Sequence, residues 1–443
     1  MSVKTFKGGV HPHDRKELSE NAQTVRLEAK GELTYLMNQH IGAPAKPLVK
    51  VGDRVLLGQT IAEAGGFVSA SIAASVSGTV KAIGLKMTQS GDEAIAITVV
   101  NDNEYEAVEG FGEPRDYDRM SKDEIRAAIK DAGIVGMGGA GFPTAVKVTV
   151  KDDSKIDYVI CNGAECEPYI TCDYRLMLEK PEDAVLGMKI LLKLFDGAVG
   201  VFGIENNKPL GIKALSEACA GSERLSVQPL KKKYPQGGER MLIKAVTGRK
   251  INSKMLPADA GCVVVNYSTL IAIADAVSRR MPLVRRVVTV TGEAIKNPSN
   301  FDVPIGITAQ ELIDAAGGYI EEPEKIIFGG PMMGAAVYTA DLPITKASSC
   351  VLALIKDETA GLEPIGCIRC GKCLYACPEH LMPIKLKNTA DAHEYAEFEA
   401  LHGLECIGCG CCTYVCPAKR RLSQTITMAK RYVLAEKKKG AAK

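Results

Sequence analysis

Along the first part of the chain, from about Lys4 to Asn103, apolar residues come in short β-branched runs cut by glycine turns. Residues 47–61 (PLVKVGDRVLLGQTI) and 74–80 (ASVSGTV) show the pattern, and it predicts a compact all-β unit. From about Arg115 the period changes. Ser121 and Glu124 have the spacing of a capping box, and Ile125, Ala128, Ile129 and Ala132 then recur on one helical face. Strand-like runs at 157–161, 197–202 and 261–266 alternate with helical patterns at 181–194 and 268–278, which predicts an α/β domain up to about Arg285. A strand at 287–291, a helix at 308–316, a strand at 325–328 and a turn at Gly329, Gly330 and Pro331 form a third unit. Residues 363–432 are mostly helical in pattern and hold repeated cysteines. The expected fold class is multidomain, α/β and α+β.

Composition narrows the function without naming it. The 443 residues carry a formal net charge of only +2, so no global field favours nucleic acid or anionic lipid. The basic run Lys437, Lys438 and Lys439 reads as a solvated end. Residues 1–14 are polar and broken by Gly and Pro, and read as no export signal. No stretch reaches the roughly 18 apolar residues of a membrane span. The uncharged run 326–340 is interrupted by Gly329, Gly330, Pro331 and Gly334. The chain is therefore expected to be soluble and to reach a membrane only through partners. Fifteen cysteines in a chain of this kind point to a reducing compartment and to metal sites rather than disulfides.

Cys367, Cys370, Cys373 and Cys377-Pro378 follow C-x2-C-x2-C-x3-C-P, and Cys406, Cys409, Cys412 and Cys416-Pro417 repeat it. Two-residue gaps let three thiolates wrap three corners of a cubane, while the fourth cysteine of the run ligates the other cluster in two-cluster ferredoxins. By that rule Cys367, Cys370, Cys373 and Cys416 hold one [4Fe–4S] cluster, and Cys406, Cys409, Cys412 and Cys377 hold the second. Zinc also takes C-x2-C pairs, but two identical four-cysteine runs ending in proline favour iron–sulfur. Cys411 falls outside the shared spacing and is expected to be a non-ligand. Such a cluster pair relays single electrons and needs another group in the chain to feed it.

Residues 136–147 (GMGGAGFPTAVK) contain G-x-G-x-x-G, yet they follow a helix where a Rossmann turn follows a strand. Glycine density of this kind exposes backbone N–H groups that can cradle a phosphate and leaves room for a flat ring, and Lys147 adds a positive charge. A plain Gly-rich turn is the competing reading. Residues 158–168 (YVICNGAECEP) and 173–176 (DYRL) follow. Both blocks resemble the flavin- and NADH-binding subunit of respiratory complex I. The all-β unit resembles the barrel-sandwich hybrid of lipoyl and biotinyl carriers, but its tip, 65–71 (GGFVSAS), has no carrier lysine, so a structural role is expected. The third unit resembles the soluble-ligand-binding β-grasp domain. The order of the four units, with the opening 6–12 (FKGGVHP), resembles the C subunit family of the Rnf complex, an ion-translocating ferredoxin–NAD oxidoreductase.

That resemblance implies a hybrid domain at 1–110, an FMN/NADH-binding domain at 111–285, a β-grasp domain at 286–360, a two-cluster domain at 361–432 and a basic tail at 433–443. It implies non-covalent FMN held by Gly136, Gly138, Gly139, Gly141, Lys147, Asn162, Glu165, Gly238, Glu239 and Asn266. It gives Phe142 and Glu167 to the nicotinamide nucleotide, NAD(H). Ala164 and Arg240 stand where the complex I pattern has acidic residues. Cys161, Cys166 and Cys172 fit no cluster spacing and read as buried small residues; His11 and His13 read as surface residues. The implied partners are the other Rnf subunits, among them a ferredoxin-like B subunit and membrane subunits, with ferredoxin reached indirectly. The implied place is the cytoplasmic side of the membrane. Two rival readings share the architecture: a cobalamin reductase of bacterial microcompartments, and a non-enzymatic wiring subunit with a degenerate flavin site. Flavin exchanges both electron pairs and single electrons, so no protein acid or nucleophile is required.

Overall fold

The computed structural model describes residues 2–359 and 361–441. Met1, residue 360 at the end given to the β-grasp domain, and residues 442–443 of the basic tail lie outside the described residues.

Two small sheets build the hybrid domain. Glu32–Leu36, Glu93–Asn101, Gly78–Met87 and Arg54–Val55 form one in that order, and Lys46–Pro47, Thr60–Glu63 and Ile72–Ala73 form the other. Their facing side chains, among them Leu33, Tyr35, Ile61, Ile72 and Val99, are buried together with Val288, Val290, Ile313 and Phe328 of the β-grasp domain. The two domains thus share one core. The β-grasp sheet runs Thr24–Arg26, Ser299–Pro304, Arg285–Thr291, Cys350–Leu354, Lys325–Phe328, Ala335–Val337. Its edge strand comes from the N-terminal segment and pairs parallel with Ser299–Pro304. The described residues before Glu32 contribute no strand to the hybrid sheets. They cross the neighbouring domains instead: Lys4 bridges to Leu230, Val10 to Tyr234, and Gly9 N donates to Ala376 O at 2.9 Å.

The α/β domain holds a four-stranded parallel sheet in the order Leu225–Leu230, Val199–Glu205, Tyr158–Gly163, Cys262–Asn266. Both faces are covered, which is why these strands read as continuous apolar runs. Val159, Cys161, Val263 and Val265 pack on the side of the helices Pro181–Leu192 and Tyr267–Arg279, while Ile160, Val201 and Val264 pack under Glu239–Thr247. Gly187 lets the first two helices touch: an added Cβ there would lie 2.0 Å from Leu270 O. The capping box forms as the spacing predicts, with Glu124 N donating to Ser121 Oγ and Ser121 N to Glu124 Oε2 at 2.7 Å. Tyr158–Gly163 comes first in the chain yet lies inside the sheet, with the next strand on one side and the last on the other. Its border with Cys262–Asn266 is the topological switch point, where open α/β sheets bind ligands beyond the carboxyl ends of the strands.

The cluster domain packs short helices around Leu386, Phe398, Ile426 and Val433. The last helix, Leu422–Ala441, continues without a break across residue 433, where a separate tail is expected to begin. Val433 is buried, and the Ala, Glu and Lys residues after it are strong helix formers.

Candidate flavin and iron–sulfur sites

Asn162 and Asn266 are register partners at the carboxyl ends of the two strands that flank the switch point. Asn162 Nδ2 donates to Gly237 O at 2.8 Å. Asn266 caps the helix Tyr267–Arg279 by accepting from Thr269 N, and its Nδ2 donates to Asp173 Oδ2 at 2.6 Å. Ser268 Oγ donates to the other Asp173 oxygen at 2.6 Å. The Gly-rich loop sits on the same helix start, because Met137 N donates to Thr269 Oγ1 at 3.0 Å. A Cβ on Gly138 would lie 2.7 Å from Asn266 Nδ2. A Cβ on Gly139 would meet nothing within 4 Å, and both glycines are exposed. Gly141, at φ +66°, brings the loop against the hybrid domain, where a Cβ would lie 3.1 Å from Gln39 O. Gly136 N donates to Phe142 O at 2.8 Å and closes the loop.

Lys147 Nζ donates to Val264 O at 2.8 Å and pairs with Glu239 at 3.2 Å. Gly238 begins the helix that carries Glu239. Phe142 lies half-buried, with Lys147 Nζ 6.0 Å from its ring centroid. Hydrogen bonds and close contacts thus join the Gly-rich loop to Asn266, Lys147 to Glu239 and Asn162 to the turn before Gly238, while Gly141 faces the hybrid domain.

The two glutamates turn inward. Glu165 Oε1 accepts from Asp173 N at 2.7 Å and Tyr174 N at 3.3 Å, while its Oε2 faces Lys16 at 3.6 Å and Lys208 at 3.9 Å. Burial raises the Glu165 carboxyl above its ordinary pKa, and the two lysines oppose the rise. Glu167 Oε2 accepts from Met332 N at 3.1 Å, and burial pushes its pKa up to about 7. The β-grasp loop closes over it, for a Cβ on Gly330 would lie 2.2 Å from Glu167 Oε2. Ala164, where the complex I pattern is acidic, is fully buried and accepts from Lys208 Nζ through its carbonyl at 2.7 Å.

Arg240 explains the other departure. It pairs with Glu405 at 2.9 Å and Glu379 at 3.3 Å, both in the cluster domain. It is a docking residue between domains.

The eight cysteines gather in two sets. Cys367, Cys370, Cys373 and Cys416 line one cavity, where Cys367 and Cys370 are exposed. Cys377, Cys406, Cys409 and Cys412 line a second, more enclosed one, with Cys377 and Cys412 buried. Cys411 borders that cavity too, and its thiol is 3.8 Å from Tyr234 O, to which it donates. The enclosed set adjoins the α/β domain. Val10, Tyr234, Ala376 and Cys411 form a small buried cluster, with Cys166, Met332 and Cys409 packed on it. Cys166 Sγ in turn accepts from Gly237 N at 3.3 Å, beside Asn162. Cys161 and Cys172 are buried and Cys166 is half-buried, in keeping with packing roles.

Asp173, Thr269 and Gly237 hold the site together without standing out in the sequence. Asp173 opens the 173–176 block, but only the fold brings it to Asn266. The residues fit the implied groups. Gly139 is exposed with nothing within 4 Å of an added Cβ, and each cavity is lined by the four thiols of one expected cubane set.

An exposed Gly-rich loop at the switch point beside two four-thiol sets suits a group that handles both electron pairs and single electrons. The fold and site define a flavin–iron–sulfur electron-transfer protein. Family models match the RnfC barrel-sandwich hybrid domain at residues 4–104, the Nuo51 FMN-binding domain at 129–275, the SLBB domain at 287–336 and a 4Fe-4S dicluster domain at 366–419. The C subunit of the Na+-translocating ferredoxin:NAD+ oxidoreductase complex of Acetobacterium woodii is 44% identical over 99% of this chain and 100% of its own. The proton-translocating counterpart of Clostridium ljungdahlii is 46% identical over 91% of this chain and 88% of its own. A solved NAD+-reducing [NiFe]-hydrogenase in its H2-reduced state is 20% identical, with a TM-score of 0.49 over 72% of this chain and 62% of that one. The chain belongs to the family of C subunits of ion-translocating ferredoxin:NAD+ oxidoreductase complexes, and its cofactors are FMN and [4Fe–4S] clusters.

Proposed function

We propose that this chain is the NAD(H)-exchanging subunit of a ferredoxin:NAD+ oxidoreductase, held at the cytoplasmic face of the membrane by partner subunits. The observation that carries the reading is the join between the two sites. Gly237, beside Asn162, contacts Cys166, and Cys166 packs with Cys409, of the enclosed set, against Tyr234 and Cys411, which supports a flavin at the switch point feeding that set.

FMN, when bound, exchanges an electron pair with nicotinamide and single electrons with clusters. The protein's part is to bind and place. Gly136 and Gly141 shape the loop, Gly138 lets it lie on Asn266, and Gly139 offers exposed backbone with open space beside it. Lys147 and the helix starts behind Asn266 and Gly238 supply positive potential for phosphate. Asn162 and Asn266 present amides at the switch point, and Phe142 offers an aromatic face to the nucleotide. Glu165 and Glu167 act from behind the cradle, through the groups they hold, while Glu239 faces it beside Lys147. Cys377, Cys406, Cys409 and Cys412 hold the cluster nearer the flavin. Cys367, Cys370, Cys373 and Cys416 hold the outer one, where a ferredoxin-like B subunit docks and passes on electrons that ferredoxin delivers to the complex.

No helix of the described residues is long and apolar enough to cross a membrane, so ion translocation is assigned to membrane subunits. Anaerobic addition of NADH to the FMN-loaded protein tests the reading. Flavin absorbance is expected to bleach and cluster EPR signals to appear. A flavin that stays oxidised under excess NADH overturns it.

A further inference from the structure

A cubane with its four thiolates is an anion, and reduction gives it one more negative charge. Cations, hydrogen-bond donors and solvent nearby therefore favour the reduced form, while carboxylates and dry burial oppose it. The two thiol sets differ in this respect.

Arg369, Lys372, Lys385 and Arg420 line the outer cavity, and among the described residues no carboxylate does. The enclosed cavity is lined by Glu379 and by no Lys or Arg. Behind that lining, Arg240 pairs with Glu379 and Glu405, and Lys430 Nζ donates to Cys406 O at 2.7 Å. Cations and carboxylates thus balance around the enclosed set and do not around the outer one. Solvent acts in the same direction, because Cys367 and Cys370 are exposed while Cys377 and Cys412 are buried. Backbone N–H groups donate to thiols in both sets, as Arg369 N does to Cys367 Sγ at 3.4 Å and Leu381 N to Cys377 Sγ at 3.3 Å, so this contribution is common to the two.

The four outer cations are not equivalent. Arg369, Lys372 and Lys385 are exposed, where water and salt screen them. Arg420 is half-buried, between Cys416 and the start of the last helix, and Leu422 N donates to its carbonyl at 2.8 Å. Its Nε is shut off from solvent and has no hydrogen-bond acceptor among the described residues. Buried N–H groups almost always have a partner. The thiolates and sulfides of a cluster held by Cys367, Cys370, Cys373 and Cys416 are acceptors of the right charge, in the cavity that Arg420 lines.

We propose that Arg420 donates to the outer cluster and holds its potential above that of the enclosed one. Arg420 is a positioning residue and ligates no iron. Each step is one electron on or off a cluster, and no atom is transferred. At half reduction the electron rests on the outer cluster, at the partner end. On the function proposed above, the enclosed cluster is then oxidised and ready for the next electron from the flavin.

A redox titration of the cluster-loaded protein, with dithionite, mediator dyes and EPR detection, reads both potentials. It uses no NADH, so its outcome is independent of the nucleotide reading. The wild type is expected to show two one-electron waves, of which Cys370→Ser, without the outer cluster, retains the lower. Arg420→Met keeps much of the side chain's bulk and removes its charge and donors. It is expected to lower the upper wave by at least about 59 mV, a tenfold change in that cluster's one-electron equilibrium, and to leave the lower wave in place. Arg420→Lys keeps the charge and is expected to fall between the two. Lys419→Met, at the exposed neighbour, is expected to move neither wave. An upper wave unmoved in Arg420→Met, or moved as far in Lys419→Met, overturns the proposal. So does a wild type in which the wave that Cys370→Ser retains is the higher one, a result that does not depend on how any Arg420 variant folds.

Discussion

At Gly138 a hydrogen in place of a side chain lets the Gly-rich loop lie against Asn266. A methyl group there would sit 2.7 Å from Asn266 Nδ2 and 3.0 Å from its Cγ, so Asn266 has to move and its bond to Asp173 breaks. Gly138→Ala is therefore expected to weaken FMN binding at least about tenfold, or ~1.4 kcal/mol, measured by flavin fluorescence titration. Gly139→Ala meets no protein atom within 4 Å, so it reports on the ligand alone. Full FMN affinity in Gly138→Ala counts against the placement of the site. A second residue, Lys346, joins three domains: it donates to Gly133 O at 2.6 Å and to Ser71 O, and Arg286 Nη1 donates to its carbonyl. No carboxylate contributes to its environment, and burial lowers its pKa from 10.5 to about 7. Between those values the unfolded chain binds a proton that the folded protein does not, so this lysine makes stability rise as pH rises through the window. Below about pH 7 both forms are charged and the burial penalty is present in full. Urea midpoints from pH 7 to 10 are expected to climb in the wild type and to climb less in Lys346→Met.

Among elements, the contact to test is the one between Glu239–Thr247 and the cluster domain. Arg240 is 17% exposed and its partners Glu379 and Glu405 are 15% and 26% exposed, so the pairs are shielded but not dry. Burial raises the Glu379 carboxyl, and Arg240 opposes that rise. Arg240→Ala is expected to cost about 1 kcal/mol of domain docking and to slow cluster reduction by NADH while FMN stays bound. Stopped-flow traces of flavin and cluster absorbance separate the two effects. Unchanged cluster reduction would mean that docking does not depend on this residue. Local signals are the legible ones. The capping box at Ser121 and Glu124, the apolar runs around Ile160 and Val264, and the cysteine spacings each specify their own element within a few residues. Arg240 shows what is not legible. Its sequence neighbours suggest a nucleotide contact, but its partners lie far along the chain. The edge strand Thr24–Arg26 is hidden for the same reason: its pairing residues are Asn300, Phe301 and Asp302. Lys16 meets Glu165 only because the N-terminal segment folds across the α/β domain. Asn162 and Asn266 are readable as candidates, yet their pairing across the switch point is a property of strand order.

In the whole molecule, the two cysteine sets differ in setting, and this gives them an order. The enclosed set touches the flavin side through Tyr234 and Cys166, and the N-terminal segment clamps it: a Cβ on Gly8 would lie 2.7 Å from Cys377 O. The open set faces solvent at Cys367 and Cys370. Cys370→Ser is expected to remove only the outer cluster. Iron content should fall by about half, and the remaining cluster should still be reduced by NADH. Cys377→Ser takes a ligand from the inner cluster and a buried side chain from the core around Leu386 and Phe398. Electrons from NADH should then stop at the flavin, leaving the outer cluster oxidised even where its iron is retained. EPR of each variant, frozen after anaerobic NADH, reads the difference directly. If the outer cluster of Cys377→Ser is reduced as fast as in the wild type, the clusters are not wired in series from the flavin outward. The join at Tyr234 and Cys166 would then be packing alone.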